Sequence, residues 1–143
     1  MQEHFVTVFD RGFLPQGVAL HSSMKRHIDD FCLWVLCIDD ETADFIDRLG
    51  WKSFKTILLT DVLTEELSRL QEARSRAEFC WTLTPFLRNF VYAIDKRINR
   101  VTYLDADLWF MQSPRSIFSQ FEASGGDVMI TKHNYSPEYD QSE

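Results

Sequence analysis

Two aspartates interrupt an apolar stretch, "VTYLDADLWF" (101–110), with one small residue, Ala106, between them. Placing two carboxylates one residue apart costs desolvation and mutual repulsion, and a divalent cation removes both costs. Asp105 and Asp107 are therefore candidate ligands for one hard divalent ion, whose oxygen ligands sit at about 2.0–2.6 Å. Two protein carboxylates leave coordination positions for phosphate oxygens, so the chemistry that suits this pattern is a metal–diphosphate site. No glycine or asparagine signals an ordinary turn here, and no helix start is expected before Ser113. Neither aspartate therefore reads as an N-cap. The apolar "LWF" that follows predicts that protein covers this edge and that the pair lines a cleft.

The elements that must position the pair are legible as apolar runs. "HFVTVFD" (4–10), "FCLWVLCIDD" (31–40), "FKTILLTD" (54–61), residues 101–105 and "DVMIT" (127–131) read as five strands. Between them lie helical patterns. The first covers 13–28, with Leu20, Met24 and Ile28 one turn apart. Asp40 is the expected N-cap of a second, closed by Gly50. Leu63, Leu67 and Leu70 start a third. Thr84 and Pro85 form a cap-plus-proline start for a fourth over 84–95. Ser113-Pro114 repeats that signal for a short helix carrying Ile117, Phe118 and Phe121, broken by Gly125-Gly126. Strands without polar alternation are buried on both faces. The expected fold is α/β, a mostly parallel Rossmann-like sheet with helices on both faces.

In such sheets ligands bind beyond the carboxyl ends of strands. Asp10, Asp39, Asp40 and Asp61 fall at such ends, besides the opening pair. Asp39, Asp40 and Asp61 read as turn formers and caps; Asp10 is equally a ligand contact. The tail "KHNYSPEYDQSE" adds no closing apolar strand, so residues 1–143 read as one domain truncated at its C-terminus.

Bulk properties narrow the partners. A net charge of −7 argues against nucleic acid, which needs clustered Lys and Arg. It leaves room for a small anion held by a cation. Cys32, Cys37 and Cys80 form no CxxC pair and are expected as buried thiols in a reducing compartment. No signal peptide is readable, and "FCLWVLCI" falls far short of the ~20 apolar residues of a membrane helix. A cytoplasmic location is expected.

The chain resembles the nucleotide-diphospho-sugar transferases of the GT-A fold. "YLDADLWFMQSPRSIF" is similar to that family's DxD segment, and "FVTVFDRGFLPQGVALHSSMKRH" to its first strand and helix. "FCLWVLCIDD" and "FCWTLTPFLRNFVYAID" are similar to its second strand and to the helix before the DxD strand. "VMITKHNYSPEY" resembles a bacterial subgroup. The resemblance implies a glycosyltransferase that moves a sugar from a nucleotide-diphosphate donor to a saccharide or other hydroxyl acceptor. It implies that Asp105 and Asp107 hold manganese or magnesium, with Ala106 between them at the donor. It places Phe9 and Asp10 at the nucleoside, and Arg88, 17 positions before Asp105, at the donor sugar or phosphates. His133 and Asn134 would lie near the acceptor. Many such enzymes take a further metal ligand from a region that this sequence does not reach.

Three other readings compete. A haloacid-dehalogenase phosphatase also carries DxD after an apolar strand, but on its first strand and with a nucleophilic first aspartate. A receiver-type module needs an acidic pair at the first strand's end, where "TVFDRG" has one carboxylate. A non-catalytic nucleotide- or sugar-binding remnant of the transferase fold is the closest rival.

Overall fold

Strand β2 (Phe31–Cys37) is buried at all seven residues. It lies between β1 (Glu3–Phe9) and β3 (Phe54–Leu58), and β4 (Thr102–Tyr103) pairs with the other side of β1. The order is β3-β2-β1-β4, and every pairing is parallel. A strand covered by neighbours on both edges and helices on both faces has no polar side, which is why "FCLWVLC" shows no alternation. The chain is thus α/β with an all-parallel sheet, compatible with a Rossmann-like fold. This computed structural model describes residues 2–130. The chain divides into two units, 1–112 and 113–143.

In the first unit, α1 (Leu14–His27) crosses from β1 to β2. Leu20 and Met24, one turn apart, are fully buried. Burial of two such side chains contributes roughly 3–6 kcal/mol before entropy is counted. Gly17 faces the Phe9 ring so closely that a Cβ there would lie 2.3 Å from Phe9 Cζ. That contact seats α1 on the same side of the sheet as Phe9. The opposite side carries α4 (Glu65–Ala73), α5 (Arg76–Leu83) and α6 (Leu87–Ile94). There Val6, Cys32, Trp34 and Leu36 join Leu67, Phe79, Leu83, Leu87 and Val91 in one buried cluster.

Several boundaries differ from the sequence reading. β2 ends at Cys37, and Asp39 rather than Asp40 caps α2 (Asp40–Leu49), its carboxylate accepting the Thr42 N–H. Asp39 has the extended backbone an N-cap needs, while Asp40 is already helical. Gly50, at φ 64°, closes α2 as expected. The third strand stops at Leu58, and α3 (Leu59–Val62) takes the rest of "FKTILLTD". The next helix starts after Thr64, whose side chain accepts the Leu67 N–H.

Thr84 is not an N-cap. It sits in helical backbone at the end of α5, and a 3-10 turn (Thr84–Phe86) leads on to α6. The helical run begins earlier, at Ser75, which forms a reciprocal capping box with Glu78. Pro85 lacks an N–H but is tolerated at the junction because the backbone tightens there. Cys80 is half-buried rather than fully buried.

In the second unit, α7 (Arg115–Ser124) follows Ser113-Pro114 and ends at Gly125, φ 65°. The fifth strand is not formed over 127–130, where Val128 and Ile130 are exposed. The last residue of that expectation, Thr131, lies outside the described residues.

Candidate functional site

β1 ends at Phe9, and the chain turns at once. Asp10 takes extended backbone, and its Oδ1 accepts the Gly12 N–H at 2.9 Å, capping the 3-10 turn Arg11–Phe13. On the neighbouring strand β4 pairs over just two residues, Thr102 with Phe5 and Tyr103 with Val6. The Leu104 N–H then donates to Val6 O at 3.0 Å, and the chain leaves the sheet. Asp105 and Asp107 therefore project from the carboxyl end of β4, beside the carboxyl end of β1. Leu104 and Ala106 are buried while Asp105 and Asp107 are exposed, and the chain turns here despite the lack of Gly or Asn, the Leu108 N–H donating to Asp105 O at 3.3 Å.

These residues line one cavity of about 540 Å³. Phe9, Asp10, Asp105, Ala106 and Asp107 all face it, together with Phe13, Arg76, Cys80, Trp81 and Tyr103. Residues almost a hundred positions apart in the chain thus share one concave surface at the strand ends. Its walls are aromatic, and Trp81 is 71% exposed. Its polar groups are three carboxylates, one guanidinium, two hydroxyls and a thiol. Burial raises the pKa of the Cys80 thiol, and the Asp10 charge adds to that effect.

The DxD segment is anchored on the far side of the motif as well. The Phe110 N–H donates to Ser23 Oγ at 3.0 Å, and the Phe110 ring meets Phe5 edge-on at 6.0 Å. The Arg26 guanidinium lies over the Trp109 ring, 5.2 Å from its centre. "LWF" does not lie beneath protein as expected, because Leu108 and Trp109 are each 46% exposed. Phe110 alone is drawn inward. The strand "VTYL" is likewise shorter than expected, with Tyr103 at the cavity rather than in the core.

Arg88 stands apart from this cavity. It is exposed on α6 and is not among the lining residues, although it continues the spacing of Cys80 and Thr84 by another four positions. His133 and Asn134 lie outside the described residues. The cation at the cavity is instead Arg76, at the start of α5. Its Nε lies 2.6 Å from Asp10 Oδ2 and its Nη2 lies 2.7 Å from Asp39 Oδ2. Sequence reading missed Arg76 because "EARSRAEF" shows a solvated, charged helix start, and nothing in it marks which arginine turns to the sheet. Asp39 also accepts the Arg11 N–H, the Thr42 N–H and the Thr42 hydroxyl. Burial works against its ionised form, but these hydrogen bonds and Arg76 hold its carboxyl below the usual range.

Asp105 and Asp107 suit a hard divalent cation by donor type, and both are accessible from the cavity. No group of three His, Cys, Asp or Glu side chains able to hold an ion by themselves occurs among the described residues. An ion here would take its remaining ligands from water or from a bound ligand's oxygens. No helix among the described residues is long and apolar enough to cross a membrane.

No family model matches the chain. Two curated proteins of Bacillus subtilis (strain 168) resemble it. "Uncharacterized protein YfnF" is 32% identical over 135 residues, covering 91% of this chain and 45% of that protein. "Uncharacterized protein YfnD" is 28% identical over 136 residues, covering 95% of this chain and 43% of that protein. The chain spans less than half the length of these relatives.

Proposed function

We propose that this chain forms the donor-binding part of a GT-A-like glycosyltransferase, and that its cavity binds a nucleotide-diphospho-sugar. One observation carries the reading. Asp10 at the end of β1 and the Asp105–Asp107 pair beyond β4 line the same aromatic-walled cavity at the carboxyl edge of a parallel sheet. Phe13 and Trp81 offer exposed apolar faces suited to a planar base, with the Phe9 backbone beside them at the end of β1. Asp10 would accept from a nucleoside, and Asp105 and Asp107 would hold Mn²⁺ or Mg²⁺ against the diphosphate. When bound, such an ion supplies Lewis-acid neutralisation of the charge on the leaving nucleoside diphosphate. The acceptor is a saccharide or another hydroxyl compound. The cytoplasm, where three free thiols stay reduced, is the compartment we propose.

A thermal-shift screen of nucleotide sugars with and without Mn²⁺ tests this. A stabilising donor whose effect requires Mn²⁺ and vanishes in Asp107→Asn supports the reading. Equal nucleotide affinity in Asp107→Asn and the parent chain, with Mn²⁺ present, would overturn it. Sugar release from the donor that binds would separate a transferase from a non-catalytic binding domain.

A further inference from the structure

The cavity holds three carboxylates and one cation among its described lining residues, and that cation is already engaged. Arg76 bridges Asp10 and Asp39, so it ties the start of α5 to the ends of both central strands. Yet its side chain remains 57% exposed. A guanidinium has five N–H donors in a rigid fork. The two contacts to carboxylates use Nε and one Nη2 hydrogen, which leaves N–H groups on the side chain's exposed part. Asp39 does not depend on Arg76, since it accepts from Arg11 and twice from Thr42. Asp10 has the Gly12 N–H besides.

We propose that Arg76 is the phosphate-contacting residue of this site, donating to a diphosphate oxygen while its Nε holds Asp10 in place. This rests on the reading of the cavity as a nucleotide-diphosphate site. Three carboxylates repel a diphosphate. A divalent ion at Asp105 and Asp107 offsets that repulsion beyond β4, and Arg76 offsets it at the ends of β1 and β2. Planar N–H groups suit phosphate oxygens better than a point charge does. The bridge to Asp10 and Asp39 removes rotamer freedom from a long side chain before the ligand arrives, so less is lost on binding.

Calorimetric titration of the full chain with inorganic pyrophosphate in Mn²⁺, at two salt concentrations, tests the proposal. Arg76→Met is expected to weaken binding about tenfold and to flatten its salt dependence, because one contacting charge is gone. Arg76→Lys keeps the charge but loses the fork. It is expected to lose several-fold, and it covers the case in which the methionine variant folds poorly. A purely structural clamp would leave the salt dependence unchanged. If both variants bind as the parent does while Asp107→Asn loses Mn²⁺-dependent binding, Arg76 has no phosphate role and the functional reading stands. If the parent shows no Mn²⁺-dependent pyrophosphate binding, the functional reading fails and takes this inference with it.

Discussion

The Tyr103 hydroxyl donates to Asp105 Oδ1 at 2.6 Å, so one oxygen of the first motif carboxylate is fixed by the last residue of β4. Partial burial of the ring, then the hydrogen bond to Asp105, push the Tyr103 pKa up to about 12. The hydroxyl therefore stays protonated at any ordinary working pH. It orients the carboxylate while leaving Oδ2 for other partners. Tyr103→Phe is expected to weaken Mn²⁺-dependent nucleotide binding about fivefold, in line with about 1 kcal/mol for one hydrogen bond at an exposed site. The melting temperature should change little. Undiminished binding in this variant would show that Asp105 needs no such support.

Gly17 of α1 packs tightly against the Phe9 ring at the end of β1. A Cβ at 17 would overlap the Phe9 ring, with the nearest atom at 2.3 Å. Gly17→Ala must displace the buried ring of a residue that borders the site. The expected cost is about 1–3 kcal/mol, the usual range for overpacking, read as a lower urea midpoint. Nucleotide binding should weaken in parallel. A variant as stable as the parent would mean that the ring moves aside without penalty.

The three thiols should react in a fixed order. Cys80 is half-buried at the cavity, whereas Cys32 and Cys37 are buried in β2, with pKa values pushed up by desolvation to about 11 and about 12. Alkylation of the native chain is expected at Cys80 alone, and slowly, since burial raises its pKa too. Mn²⁺ with a bound nucleotide diphosphate should slow it further. Mass spectrometry of labelled peptides reads both effects; Cys80 labelling unchanged by the ligand would put the ligand elsewhere.

His21 predicts an acid sensitivity. The ring is buried against Trp51 and Phe54, its Nε2 is 2.9 Å from Ser53 Oγ, and its Nδ1 has no partner among the described residues. Desolvation, with a smaller push from Lys25, lowers its pKa from 6.5 to about 4. Between those values the unfolded chain binds the extra proton and the folded chain does not. Stability from this group is complete above about pH 6.5 and is lost as pH falls toward 4. His21→Gln should be less stable than the parent at pH 7, and the gap should shrink by about 2 kcal/mol at pH 5. Parallel urea midpoints at the two pH values would sink the assignment.

Much of this architecture is written in local pattern. The run 31–40 reads as a strand buried on both faces, which forms over 31–37, and Gly50 and Gly125 sit where left-handed backbone ends a helix. The DxD pair was legible because two charges one residue apart contradict an apolar run; the turn that the Leu108 N–H closes onto Asp105 O was not, since no Gly or Asn marks it. Errors gathered where two local signals compete. Thr84-Pro85 has the form of a helix start, yet the capping box at Ser75 and Glu78 begins the helix nine positions earlier, and packing of Phe79 and Leu83 carries it through. "LWF" has the composition of core, but a strand paired over two residues ends too early to bury all three.

Residue type and spacing determined on their own that this chain forms a parallel α/β sheet and that Asp10, Asp105 and Asp107 leave its strands at the carboxyl ends. Those properties follow from period, propensity and the cost of burying charge, which act over a few neighbouring residues. Which groups share a surface depended on tertiary structure. The order β3-β2-β1-β4 sets β1 beside β4 and so brings Asp10 and the DxD pair to one cavity. The docking of α5 on the sheet turns Arg76 onto Asp10 and Asp39, while Arg88 stays on an exposed helix face away from the cavity lining. Strand order and helix rotation are set by non-local packing, and no short stretch of sequence contains them.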